Sequence, residues 1–198
     1  MSLDGAETRA GEARRLRMTT FFCVTLSAVA ILVAGCAGGI SPVAVGGDTA
    51  TAELRDASGQ PVGQATFTEV KGGVRIVLEA RNLPPGEKGV HLHAVGKCEP
   101  PQFTSAGAHF NPQGKQHGIL NPAGAHAGDL PNITIGPQGT GRLESFTDAV
   151  TLGSGANSLL RPEGTAIVVH AAPDDFRTDP TGNSGARIAC GVLTKKPS

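Results

Sequence analysis

Five of the six histidines in this chain, His91, His93, His109, His117 and His126, lie between Gly89 and Asn132, and Asp129 follows the last of them by three residues. The sixth, His170, ends the apolar run that starts at Thr165. Imidazole and carboxylate at this density are metal ligands, and two kinds of site are on offer. His91, His93, His109 and His170 make an all-nitrogen set of the kind that suits Cu(II). His109, His117, His126 and Asp129 supply three nitrogens and one carboxylate, the tetrahedral style that suits zinc. His109 belongs to both sets. It can serve both only by losing both ring protons and bridging as an imidazolate, which two adjacent dications favour. Singly these residues say little, since an H-x-H on a strand is as often a packing accident and His170 alone reads as a satisfied core histidine. Together they leave no histidine unused.

The elements that must position them read as strands. The segment Gly89 to Val95 has a period of two that puts His91 and His93 on one face. Other strands are expected over Thr51 to Asp56, Gln64 to Val70, Val74 to Ala80, Ile133 to Ile135, Gly139 to Phe146, Thr165 to His170 and Arg187 to Leu193. Turn residues separate them, at Ala57 to Gln60, Lys71 to Gly73 and Asn82 to Gly86. Residues 133–146 suggest a hairpin around Gly136 to Gly139, and Ala149 to Leu160 stays ambiguous. With 28 Gly, 14 Pro, no Trp and no Tyr, and no long apolar pattern of period 3.6 after residue 36, the domain reads as all-β. Residues 96–130 show little alternation and are long for a connection inside a compact domain. Metal coordination supplies a reason for such a loop to be ordered. Pro173 to Gly185 is a second polar loop.

The first 36 residues are of another kind. Arg14, Arg15 and Arg17 precede an apolar run from Phe21 to Val33, which reads as a secretion signal too short to span a membrane comfortably. Val33-Ala34-Gly35-Cys36 resembles a bacterial lipobox, so Cys36 is expected to carry lipid. Ala37 to Asp48 would then be a flexible tether and 49–198 the folded domain. Met18 is an alternative start to Met1. Cys23 would leave with the signal, and Cys98 and Cys190 remain to pair in an oxidising compartment, two buried free thiols being the alternative. The 17 basic residues balance the 17 acidic ones, which gives no indication of a nucleic-acid partner.

The residues also carry a family resemblance. Gly89-Val90-His91-Leu92-His93, Ser105-Ala106-Gly107-Ala108-His109-Phe110-Asn111-Pro112, Lys115-Gln116-His117-Gly118, His126-Ala127-Gly128-Asp129-Leu130, Val168-Val169-His170-Ala171-Ala172-Pro173-Asp174-Asp175 and Gly182-Asn183-Ser184-Gly185-Ala186-Arg187-Ile188-Ala189-Cys190-Gly191 resemble the motifs of copper/zinc superoxide dismutases. The resemblance covers the chain from about Thr49. It implies a Greek-key β-sandwich or flattened barrel, immunoglobulin-like, of eight strands with two long functional loops. It implies copper on His91, His93, His109 and His170, zinc on His109, His117, His126 and Asp129, and Asp174 as the carboxylate linking His91 to His117. Arg187 would hold the superoxide anion, and Cys98 and Cys190 would form a disulfide that anchors the loop to the last strand. The implied reaction is dismutation of superoxide to hydrogen peroxide and dioxygen, with copper cycling between two oxidation states and His109 exchanging a proton.

With the lipobox, the expected location is the cell envelope, lipid-anchored to a bacterial membrane and facing the extracytoplasmic side, where the enzyme would protect against superoxide. The assembly, monomer or homodimer, is left open. Two departures matter. Cys98 follows His93 by only five residues, as in bacterial members, and the loop from Asp175 to Gly185 is short and lacks the charged patch of animal enzymes. Steering is therefore expected to rest on Arg187 and the metals, with Lys115 and Arg177 as candidates to assist. The rival readings are a non-catalytic copper-delivery protein on the same scaffold and an adhesive envelope lipoprotein.

Overall fold

The computed structural model describes residues 47–197. The expected secretion signal, the expected lipobox with Cys36, both candidate starts and all but the end of the expected tether lie outside the described residues. Among the described residues there are ten strands, β1 (Thr49–Asp56), β2 (Pro61–Val70), β3 (Gly73–Ala80), β4 (Gly86–Lys88), β5 (Val90–His93), β6 (Ile133–Ile135), β7 (Gly141–Thr147), β8 (Ala166–His170), β9 (Arg187–Val192) and β10 (Thr194–Lys195), and one 3-10 turn at Thr104–Ala106.

Local sequence explains the first half of the sheet. Alternation sends Ala50, Ala52 and Leu54 of β1, Phe67 of β2 and Val74, Ile76 and Leu78 of β3 into the core. Their neighbours face solvent, so the strands pair as an antiparallel meander with one wet face. On that wet face Arg75 of β3 donates to Glu144 of β7 at 2.7 Å. The whole sheet runs β5-β8-β9-β1-β2-β3-β7, with β10 added beside β1. Neighbours such as β9 and β1 are far apart in sequence, as in a Greek key.

Two details differ from the sequence reading. The turn at Gly136 is present, its N–H donating to Thr140 O at 2.8 Å, but its flanking strands do not form a hairpin ladder. Instead β6 pairs with β4 and β7 pairs with β3. The strands β4 and β10 were not anticipated, because three and two residues are too few to show a period.

The far end of the sheet has a different construction. All five residues of β8 are buried. Ile167 and Val169 face the main core, while Ala166 and Val168 face a second apolar cluster with Phe103, Ala106 and Cys190. The long loop thus covers the outer face of this strand. A disulfide between Cys98 and Cys190, 92 residues apart, fastens the loop to β9. In the chain-entropy account, a closed loop of that length destabilises the unfolded state by about 4–5 kcal/mol.

Candidate metal centre

Pairing between β5 and β8 puts His91 opposite Val168 and His93 opposite Ala166. Both histidines therefore share the outer face of the sheet with Val168, and His170 lies on that face two residues further along β8. Next to His170, across the β8–β9 ladder, is Arg187. The long loop returns over this face, with an antiparallel bridge from His93 to His109 and another from His91 to Asp129. In this way strand register places three histidines and the loop brings the remaining candidate ligands to them.

Ring hydrogen bonds define which nitrogen each histidine leaves free. His93 Nδ1 lies 2.9 Å from Gly107 O, and His170 Nδ1 lies 3.1 Å from Gly185 O. A carbonyl oxygen only accepts, so both Nδ1 atoms donate and both Nε2 lone pairs point elsewhere. His91 Nε2 donates to Asp174 Oδ2 at 2.7 Å. Among the described residues, the buried side-chain nitrogens without a hydrogen-bond partner include His91 Nδ1, His93 Nε2, His109 Nε2 and His170 Nε2. Leaving such a group unpaired costs roughly 1–3 kcal/mol each, and a metal would satisfy them together. The ligand atoms of His91, His93, His109 and His170 all lie within 4.8 Å of one another.

A second group with mutual distances inside 4.8 Å consists of His91, His109, His117 and Asp129. Proximity alone puts His91 there, because its ring stacks on His109 with centroids 3.9 Å apart. The donor atoms favour His126 in its place. Asp129 Oδ1 lies 3.1 Å from His109 Nδ1, 3.0 Å from His117 Nδ1 and 3.4 Å from His126 Nδ1. Three Nδ1 atoms thus surround one carboxylate oxygen, the donor set expected of a zinc site.

Asp174 joins the two groups. Its Oδ1 accepts from His117 Nε2 at 3.0 Å while Oδ2 takes His91 Nε2. Asn132 holds it there, accepting from the Asp174 N–H at 2.9 Å and donating to the Asp174 carbonyl at 3.0 Å. Gly182, at φ +60°, packs directly against the Asp174–His117 contact, and a Cβ there would overlap the carboxylate. Asp179 adds a further tie, its Oδ1 accepting the His117 N–H at 2.6 Å. Asn132 and Asp179 were not singled out from the sequence, since no local pattern marks a contact 42 or 62 residues away.

The electrostatics divide the site. Burial, with neighbouring cationic groups adding to it, lowers His93 to about 2 and His170 to about 3. His109 falls to about 4, mainly through burial and against the pull of Asp129. These rings stay neutral and ready to ligate. Burial also opposes charge on His117, but hydrogen bonds to Asp129 and Asp174 outweigh it and raise the ring to about 9. Asp129 is pushed up by burial, yet its three histidine partners hold it well below the usual carboxylate range.

Arg187 is half-buried, with Nη1 donating to Phe103 O and Nη2 to Gly107 O, both at 2.7 Å. Gly107 O is also the acceptor for His93, so one carbonyl sets the orientation of both side chains. A cavity of about 570 Å³ opens over this point, lined by Arg187, His109, His126, Lys115 and Asp179. Of the two steering candidates, Lys115 is therefore at the cavity. Arg177 instead bonds its Nη1 to Leu120 O at 3.4 Å. Such an arrangement can hold two metals a ring apart, with a fixed guanidinium to receive a small anion.

Comparison with known proteins gives the same answer. The family model for copper/zinc superoxide dismutase (SODC) matches residues 62–193. A copper-zinc superoxide dismutase 2 from Aquifex aeolicus is 50% identical over 146 residues, covering 73% of this chain and 85% of that protein. One from Caulobacter vibrioides is 43% identical over 148 residues, with coverages of 73% and 85%. The crystal structure of a SOD-like protein from Bacillus subtilis, 37% identical, superposes with a TM-score of 0.70 over 73% of this chain and 97% of that one. Fold, donor set and sequence agree, and the chain belongs to the copper/zinc superoxide dismutases, oxidoreductases whose substrate is superoxide and whose cofactors are copper and zinc.

Proposed function

We propose that copper is held by His91 Nδ1 and the Nε2 atoms of His93, His109 and His170, that zinc is held by His109, His117, His126 and Asp129, and that His109 bridges them. When bound, copper supplies a one-electron couple and zinc a fixed positive charge without redox change. The observation that supports this reading is the convergence of four buried, unpartnered nitrogens, each on a ring whose other nitrogen is already engaged. The residues divide the work. Arg187 attracts and orients the superoxide anion at the cavity floor. His109 keeps its Nδ1 toward Asp129, and when its Nε2 is off the copper that nitrogen takes up a proton and passes it to the developing peroxide. Asp174 fixes the rings of His91 and His117, so His109 returns to the same position after each turnover.

The proposal extends to the N-terminal segment. Cys36 carries a lipid, the tether of residues 37–48 lets the domain stand off a bacterial membrane, and the enzyme removes superoxide arising on the extracytoplasmic side of the envelope. Support comes from the order of elements there, arginines, then an apolar run, then Val33-Ala34-Gly35-Cys36, and from a disulfide, which persists in oxidising compartments.

Metal content and dismutation, measured on one preparation reconstituted with copper and zinc, test the site. About one copper and one zinc per chain with activity that cyanide abolishes is expected. Copper without activity would favour the delivery reading, and no copper would overturn both. Sedimentation of the same sample decides between monomer and homodimer. For the anchor, Cys36→Ser is expected to move the protein from the membrane fraction to the soluble one; unchanged fractionation would sink the lipid proposal.

A further inference from the structure

Behind the metal site lies a guanidinium that the preceding account does not use. Arg161 donates from Nη2 to the Ala94 carbonyl and from Nη1 to Thr165 Oγ1 at 3.1 Å and Ser158 O at 3.3 Å. Its Cζ stands 4.2 Å from the centroid of the Phe110 ring. Glu163, at 3.6 Å from Nε, is its ion-pair partner, and the Arg161 side chain is only 17% exposed.

Ala94 and Phe110 are the residues immediately after His93 and His109. The two segments are bridged to each other at His93 and His109. The ladder continues with Ala94 N–H to Ala108 O at 2.8 Å, Val95 N–H to Ala106 O at 3.0 Å and Phe110 N–H to Leu92 O at 2.8 Å. Successive residues of an extended segment point to opposite faces. A group on the Phe110 ring therefore lies behind the segment whose front carries His109. One guanidinium thus grips both halves of the ladder, a carbonyl on the first and a ring on the second. A planar fork can lie flat on the ring while its edge donates, whereas an ammonium has no flat face to stack.

We propose that Arg161 is a positioning residue that sets the spacing of His93 and His109 from behind. It rests on the reading that these two histidines hold copper, and it adds that their separation is governed by a side chain that touches neither metal nor substrate. Without the staple, the β5 end and the loop would slide relative to each other, and the nitrogen set would lose its shape when loaded. Displacements of about 1 Å at a reacting centre can lower turnover by up to two orders of magnitude.

The test uses the whole chain with Arg161→Met, Arg161→Lys and Phe110→Leu, the last keeping the fork while removing the stack. In the metal-free protein, amide exchange at Ala94, Val95 and Phe110 is expected to accelerate in Arg161→Met while amides of β2 stay protected. In the copper- and zinc-loaded protein, the Cu(II) paramagnetic resonance spectrum is expected to shift, and turnover per bound copper to fall about tenfold within that ceiling. Arg161→Lys and Phe110→Leu should give smaller changes of the same sign, and Phe110→Leu carries the test if Arg161→Met does not fold. A wild-type spectrum and wild-type turnover per copper in the folded variants, even with a lower melting temperature, would reduce Arg161 to a purely structural residue and overturn the proposal. Failure of the wild-type chain to bind copper would instead defeat the ligand assignment, and the metal-free exchange would still judge the staple.

Discussion

The two candidate ligand sets are built on different foundations. His91, His93 and His170 stand on paired strands, where register alone sets their spacing. His117, His126 and Asp129 stand on a loop with little regular structure, held by hydrogen bonds among themselves and by the Asp174–Asn132 clasp. Nitrogens on the strand side are kept neutral by burial, whereas the loop side keeps a carboxylate charged and a histidine protonated. The strand set is therefore preformed, and the loop set forms its own ion cluster until a metal replaces it.

Mutation can break this comparison most directly at a strand ligand. His170→Ala is expected to reduce dismutation to background while zinc, measured by metal analysis, is retained, because the zinc loop has its own supports. Loss of zinc along with copper would mean that the two sets are not independently founded. Asp174→Asn attacks the shared clasp instead. It should weaken metal retention by about 10–100-fold, with zinc competed away by a chelator more readily than copper, since only the loop set lacks strand register.

Opening the disulfide should loosen the loop without touching a ligand. Cys98→Ser with Cys190→Ser is expected to lower folding stability by about 4–5 kcal/mol at most, read by denaturant melts of the metal-free protein. It should also reduce kcat/KM, because Phe103, which orients Arg187, lies in the fastened loop. A stability loss with unchanged kcat/KM would show that the loop holds Arg187 without its fastening.

Protons distinguish the two sides more finely. In the metal-free protein His117 titrates at about 9, so at neutral pH it carries a proton that zinc must displace. Calorimetry in buffers of different ionisation enthalpy should find about one proton released on zinc binding. None is expected from His93 or His170 at that pH, as these titrate at about 2 and about 3. The sign for stability follows from the raised value. The His117 contribution is complete below the unfolded value of about 6.5 and fades as pH rises through about 9. The smallest effect is expected from Lys115→Gln. It should lower kcat/KM by less than about threefold at low ionic strength and flatten its dependence on salt, since an exposed charge at the cavity rim acts mainly on encounter.

The sequence by itself determined the strands β1 to β3 and β5 to β9 and the identity of the candidate ligands. Period two is a local property, visible as burial in Val74-Arg75-Ile76-Val77-Leu78 and as the alternation of histidine with leucine in His91-Leu92-His93, without knowledge of any partner. Types and spacing along the chain separated an all-nitrogen set from one with a carboxylate. The tertiary structure decided which strands pair around Gly136, how the long loop lies over β8, and which polar groups brace the site. Asn132 on Asp174, Asp179 on His117 and Arg161 on Ala94 and Phe110 join residues between 42 and 67 positions apart. Each of these side chains is an ordinary polar residue in its own neighbourhood, and only the folded path brings it to a backbone group or ring that needs a partner.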